Sequence, residues 1–156
     1  MKKLTVLLIM TLSCTLTVCA QGGVGNTSNG GTVNTPTGGT MKIIIGNREL
    51  TATLAQNSST EALKELLRAG SITINMRDYG NMEKVGSLGR SLPANDERIT
   101  AEPGDLILYQ GNSLVIYYAP NTWSFTRLGK INGVTQAELI NILGQGNVTV
   151  ILEAAE

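Results

Sequence analysis

Between residues 42 and 152 the apolar side chains fall into short alternating runs, interrupted twice by stretches of helical spacing. Lys42-Ile43-Ile44-Ile45 predicts a short β-branched strand, Gly46-Asn47 a hairpin turn, and Glu49 to Leu54 the partner strand. Ser58-Ser59-Thr60-Glu61 reads as a capping box, with serine and glutamate satisfying each other's backbone N–H. The helix it opens carries Ala62, Leu63, Leu66 and Leu67 on one face and stops at Gly70. Ile72, Ile74 and Met76 then alternate with Thr73, Asn75 and Arg77, the signature of a half-buried strand.

After Asp78 the periodicity weakens. Met82 to Val85 predicts a short strand, and Gly86 to Gly104 a long loop carrying Leu88, Leu92, Pro93 and Pro103. Regular alternation returns in Leu106 to Tyr109, a turn at Gln110-Gly111-Asn112, and Leu114 to Tyr118. Thr122 to Leu128 predicts a strand with Trp123, Phe125 and Arg127 on one face and Ser124, Thr126 and Leu128 on the other. A second capping box, Thr135 to Glu138, opens a helix with Leu139, Ile140 and Leu143 inward and Gly144 as its stop. Val148, Val150 and Leu152 close the series. About eight strands with two helices predict a mainly β domain, a closed or nearly closed barrel with helices over its open ends.

The first 40 residues follow neither period. Lys2 and Lys3 precede an apolar run from Leu4 to Val18, long enough for a secretory signal and too short for an ordinary membrane-spanning helix. Val18-Cys19-Ala20 supplies small residues for cleavage before Gln21, so residues 1–20 are expected to be a signal peptide. Lipidation is the competing fate. Leu16-Thr17-Val18-Cys19 resembles a bacterial lipoprotein signal, which would make Cys19 the acylated first residue of a tethered protein. Gln21 to Thr40 is rich in glycine, asparagine, threonine and serine, with Val24 and Val33 its only aliphatic side chains, and predicts a disordered leader. The folded domain is then residues 41–156, outside the cytoplasm in the periplasm, at the cell surface or secreted.

Composition narrows the chemistry. There is no histidine, so the commonest general base and metal ligand is missing. Both cysteines, Cys14 and Cys19, precede the domain, which excludes thiol catalysis, thiolate metal sites and disulfides within it. Charge is balanced at twelve basic and twelve acidic side chains, a surface without long-range pull on nucleic acid. Asp96, Glu97, Glu102 and Asp105 collect late in the irregular stretch, but their spacing matches no calcium loop. Neither a metal nor a cofactor is expected, and a membrane would be met only through a lipid on Cys19.

Several strings together resemble the cyclophilin fold, most closely its compact bacterial cyclophilin-like members. They are Met76-Arg77-Asp78-Tyr79-Gly80, Glu83-Lys84-Val85-Gly86, Glu102-Pro103-Gly104-Asp105 leading into a hairpin, and Leu128-Gly129-Lys130-Ile131 before the second helix. The resemblance spans about Met41 to Leu152 and implies an eight-stranded barrel with a helix at each end. It also implies a site. Arg77 falls at the family's catalytic arginine, Met82 near its pocket methionine, Ile116 and Tyr117 at its pocket phenylalanine, and Trp123 near its tryptophan. In the family's prolyl isomerases such an arginine grips the substrate carbonyl as the amide twists, over a barrier of about 18–20 kcal/mol, without proton transfer. The family's phenylalanine-histidine-arginine string is here Asn75-Met76-Arg77, its glutamine-glycine-glycine is Lys84-Val85-Gly86, and its pocket histidine has no counterpart. The expected function is therefore a monomeric binding module for a peptide, a protein segment or a small ligand. Prolyl isomerisation of exported, proline-containing chains through Arg77 is the alternative.

Overall fold

The computed structural model describes residues 38–155. Their elements run β1 (Thr40–Ile45), β2 (Arg48–Leu54), α1 (Ser58–Ala69), β3 (Ile72–Tyr79), β4 (Glu83–Ser87), β5 (Glu97–Ala101), β6 (Asp105–Tyr109), β7 (Ser113–Tyr117), β8 (Asn121–Ile131), α2 (Gln136–Leu143) and β9 (Val148–Ala154). Eight strands lie side by side in the order β2-β1-β9-β3-β4-β7-β6-β8, and β8 pairs back onto β2 to close an antiparallel barrel. Closure removes the sheet edges that an open sheet would expose. The ninth strand, β5, lies outside the ring and pairs with the first half of β8.

Period-two alternation explains the interior. Met41, Ile43, Ile45, Leu54, Ile74, Met76, Leu106, Leu108, Leu114, Ile116, Val150 and Leu152 turn inward and form one buried cluster. Leu63 and Leu67 of α1 and Leu139 and Leu143 of α2 join it from the helices. Close approach replaces side chains at two glycines. A Cβ on Gly86 would stand 2.4 Å from Ile74 Cγ2, and one on Gly129 would stand 2.3 Å from the Thr53 carbonyl oxygen. Gly129 sits where β8 meets β2 and β6 together, so the barrel closes there only without a side chain. Beside it the register jumps: Leu106 faces Gly129 but Ile107 faces Arg127, which leaves Leu128 as a bulge turned into the core.

Five expectations change. The stretch from Gly86 to Gly104 is not a continuous loop. It contains β5, whose polar sequence acquires a strand partner only through β8, far along the chain. Leu88 and Leu92 from the same stretch are buried in the main core. The cap of α1 is Asn57, one residue before the expected serine, with its Oδ1 accepting from Thr60 N at 2.9 Å. Ser59 instead donates to the Pro93 carbonyl and accepts from Asn95, tying the stretch before β5 onto the helix start. Ile140 faces outward, 45% exposed, because the short α2 turns Leu139 and Leu143, with Ile142 partly buried beside them, to the barrel. The fold also begins before Met41. Gly38 N donates to the Leu54 carbonyl, Leu54 N to the Gly39 carbonyl, and Thr40 opens β1. Backbone bonds, together with Lys64 Nζ donating to the Gly38 carbonyl at 2.9 Å, hold this edge, so the apolar pattern gives no sign of it. Finally, Ile116 is wholly buried in the barrel and lines no external site. The expectations for a signal peptide, for Cys19 and for the leader up to residue 37 lie outside the described residues.

Candidate functional site

The strand register dictates which side chains share the outer face. In β3 and β4, Arg77 lies opposite Val85 and Tyr79 opposite Glu83. In β4 and β7, Val85 lies opposite Val115 and Glu83 opposite Tyr117. Because alternate residues share a face, Arg77, Tyr79, Glu83, Val85, Val115 and Tyr117 all turn away from the barrel core. Ile107 continues the row on β6, and Phe125 adds to it from β8. These apolar groups form a second, smaller core with Ala101 and Ile99, so β5 acts as a flap that makes the outer surface concave. The Tyr117 and Phe125 rings meet at 5.5 Å with their planes tilted by 54°.

The concavity is a cleft of about 400 Å³ lined by Arg77, Tyr79, Glu83, Val85, Tyr109, Val115, Tyr117, Asn121, Trp123 and Phe125. That volume lies within the ordinary range of small-ligand sites. Among the described residues, three of the four large hydrophobic side chains left exposed, Tyr79, Tyr109 and Trp123, stand around this one cleft. Trp123, at 60% exposed, is a rim residue and not part of either core.

The site residues expected from the sequence separate cleanly. Arg77, Tyr117 and Trp123 line the cleft together. Met82 is half-buried against the second core and does not line the cleft, and Ile116 belongs to the barrel interior. Tyr109 joins Arg77, Tyr117 and Trp123 in the lining, and Tyr79 and Glu83 are lining residues that the sequence does not single out. Tyr79 and Glu83 follow from the pairing of β3 with β4, and a period-two count from Arg77 would have reached Tyr79 directly.

Two charged groups set the electrostatics of the cleft. Arg77 is exposed and, among the described residues, has no ion-pair or hydrogen-bond partner. Its neighbour Asp78 points to the other side of β3, where Lys84 Nζ holds it at 2.8 Å and the Tyr118 hydroxyl donates to it at 2.7 Å. Glu83 is only 8% exposed, and its Oε2 finds no hydrogen-bond partner among the described residues. Burial pushes its carboxyl up from the ordinary value of 4.5, and the Tyr117 hydroxyl beside it offsets part of that rise. Burial, followed by the nearby Glu83, likewise pushes the Tyr117 hydroxyl up, while Asn121 Nδ2 donates to it at 3.2 Å. A cleft of this kind offers a planar donor at its rim, an acceptor at its base and aromatic faces between.

Two further acids of this region, Asp105 and Asp96, are already engaged. Asp105 is fully buried, paired with Arg127 at 2.5 Å and Lys130 at 3.1 Å, and its Oδ2 accepts from Glu102 N. It fixes the Glu102-Pro103-Gly104-Asp105 turn, with Gly104 at φ +89°, and takes no part in the cleft. Asp96 accepts from the Thr126 hydroxyl at 2.5 Å.

Comparison with known proteins agrees with the architecture. The sequence profile of the cyclophilin-like family matches residues 43–153. No curated protein matches. Among solved structures, a hypothetical protein of Archaeoglobus fulgidus determined in solution is similar at a TM-score of 0.55 and 15% identity, covering 74% of this chain and 94% of the other. That likeness concerns the fold. On the match across nearly all of its barrel, this chain belongs to the cyclophilin-like family.

Proposed function

We propose that the chain is an exported cyclophilin-like binding module that holds a peptide, a protein segment or a small ligand in the cleft beside Arg77 without converting it. The observation that carries this reading is the placement of a guanidinium, unpaired among the described residues, beside an apolar, aromatic-walled cleft. Such a donor suits a ligand oxygen, and the floor of Val85, Val115 and Phe125 suits an apolar side chain. Catalysis of prolyl isomerisation asks for more. The donor must be preorganised over a purely apolar ring pocket, because only interactions strengthened in the twisted amide lower the barrier. Here, among the described residues, Arg77 has no partner fixing its orientation, and a buried carboxyl lines the cleft. Export rests on the basic-apolar-small order of the first 20 residues, and intact mass of the protein from its native envelope tests it.

Prolyl isomerisation is kept as a second reading because Arg77 and Trp123 line the same cleft. One experiment separates the two. The purified protein is assayed for isomerisation of proline peptides while emission from Trp123, the single tryptophan of the chain, reports occupancy. The binding module gives saturable emission changes with isomerisation at the uncatalysed rate. Acceleration that disappears in Arg77→Ala would establish the isomerase.

A further inference from the structure

We infer that the cleft selects an α-amino acyl unit: Glu83 receives its free ammonium group and Arg77 donates to the neighbouring carbonyl or carboxylate oxygen. The inference rests on the binding-module reading and specifies its ligand class. Its starting point is Glu83, whose carboxyl lies beside the Tyr117 hydroxyl but whose Oε2 is buried without a hydrogen-bond partner among the described residues. Buried polar atoms in native proteins are satisfied in about nine cases of ten, so an orphaned one facing a cleft calls for a donor from outside.

The second observation is that Arg77 and Glu83 lie on one face of the sheet yet do not pair. Arg77 faces Val85 and Glu83 faces Tyr79, which makes the two charges diagonal neighbours. Diagonal neighbours are about 7–8 Å apart at Cα, close enough for one small group to touch both side chains. A simple cation entering the cleft would meet Arg77 and a simple anion would meet Glu83. Only a ligand carrying a donor and an oxygen side by side satisfies both. In an α-amino acyl unit the nitrogen and the oxygen are separated by three bonds and lie about 3 Å apart. With a charge-assisted hydrogen bond of about 2.8 Å at each end, such a unit can bridge two side-chain groups carried on neighbouring positions of one face. Its side chain then meets the floor of Val85, Val115 and Phe125. A prolyl residue within a chain has no N–H to give, and would leave Glu83 unsatisfied.

Two sources share this chemistry, a free amino acid and the amino-terminal residue of a peptide. Titrations followed by Trp123 emission and by amide NMR shifts of the cleft residues would use L-leucine, leucyl-glycine, N-acetyl-leucine and a proline dipeptide blocked at both ends. The inference expects the two free-amine probes to bind at least about tenfold more tightly than the acetylated one, one factor of ten being about 1.4 kcal/mol. Glu83→Gln should bring free and acetylated probes to within about twofold of each other. Tighter binding of leucyl-glycine assigns a peptide terminus, and tighter binding of leucine a free amino acid. Equal affinity for free and acetylated probes in the wild-type protein overturns the inference, with or without the variant, and leaves the binding module standing. If no probe moves the emission or the shifts, the inference and the binding module fall together.

Discussion

Glu83 and Lys84 are consecutive residues of β4 with opposite charges and opposite fates. Lys84 turns inward and is wholly buried, yet its three donors reach Asp78 at 2.8 Å, the Gly144 carbonyl at 2.9 Å and the Gly146 carbonyl at 2.7 Å. Asp78 is completed in turn by the Tyr118 hydroxyl and by Gly146 N. This cluster binds β3 and β4 to the connection between α2 and β9, and every charge in it is answered. Glu83 turns outward, is nearly as buried, and keeps one oxygen unanswered among the described residues. A satisfied buried charge holds a fold together, whereas an unsatisfied one costs stability and marks a site. The two faces of one strand thus separate the structural role from the ligand role proposed for Glu83.

The largest expected effect breaks the satisfied side. Lys84→Met removes the cation that holds Asp78 and leaves two carbonyls and a carboxylate without their donor. We expect a loss of about 3–5 kcal/mol in a urea titration. A loss below about 1 kcal/mol would remove the structural reading of the cluster. Next comes Gly86→Ala, on the same inner face, where the new Cβ meets Ile74 and the backbone oxygen of Asn75 at 2.9 Å. Overpacking against backbone should cost about 1–3 kcal/mol, with the secondary structure seen by circular dichroism retained.

The pH dependence of stability should carry opposite signs for the two faces. Lys84 first, with Tyr118 and Gly146, holds the Asp78 carboxyl below its ordinary value of 3.8. Its contribution is complete above that value and is lost as pH falls below 3.8 through the folded-state value. Glu83 is raised above 4.5, so the folded state retains its proton longer, and stability declines as pH rises from 4.5 toward the folded-state value. Asp78→Asn should flatten the first limb and Glu83→Gln the second, in unfolding titrations repeated across pH 2–8 (about the range that covers both groups). If either variant changes the wrong limb, the assignment of that group fails. Smallest of all should be the rim. Arg77→Ala and Trp123→Ala touch exposed side chains and should move stability by no more than about 0.5 kcal/mol, while weakening ligand binding. A larger loss would mean that the rim supports the fold.

Much of the barrel is legible in the sequence because alternation reports strands directly. Thr135 to Glu138 reads as a capping box and is one, since both of its bonds are local. β5 is not legible: Glu97-Arg98-Ile99-Thr100-Ala101 has one strongly apolar residue and becomes a strand only by pairing with β8. The phase of β7 is hidden for a related reason. Leu114, Val115, Ile116 and Tyr117 are all buried, because the second core covers the outer face where water would normally reveal the alternation. A pocket role shared between Ile116 and Tyr117 could not be divided without the register. The cap at Asn57 escaped because Ser58, Ser59 and Thr60 offer the same chemistry one step later, and tertiary bonds to Pro93 and Asn95 claim Ser59. Glu83 escaped most fully, since a lack of partners is a property of the folded surroundings and has no signature in a string of letters.

The account stands on Glu83 being retained at a cost to the fold, and its stability at neutral pH tests this most directly. Glu83→Gln keeps the shape, removes the buried charge and is expected to match the wild-type urea midpoint or exceed it by about 1 kcal/mol. A fall of more than about 1 kcal/mol would contradict the account, because Glu83 would then have a partner within the fold and the cleft would have no acceptor waiting for a ligand.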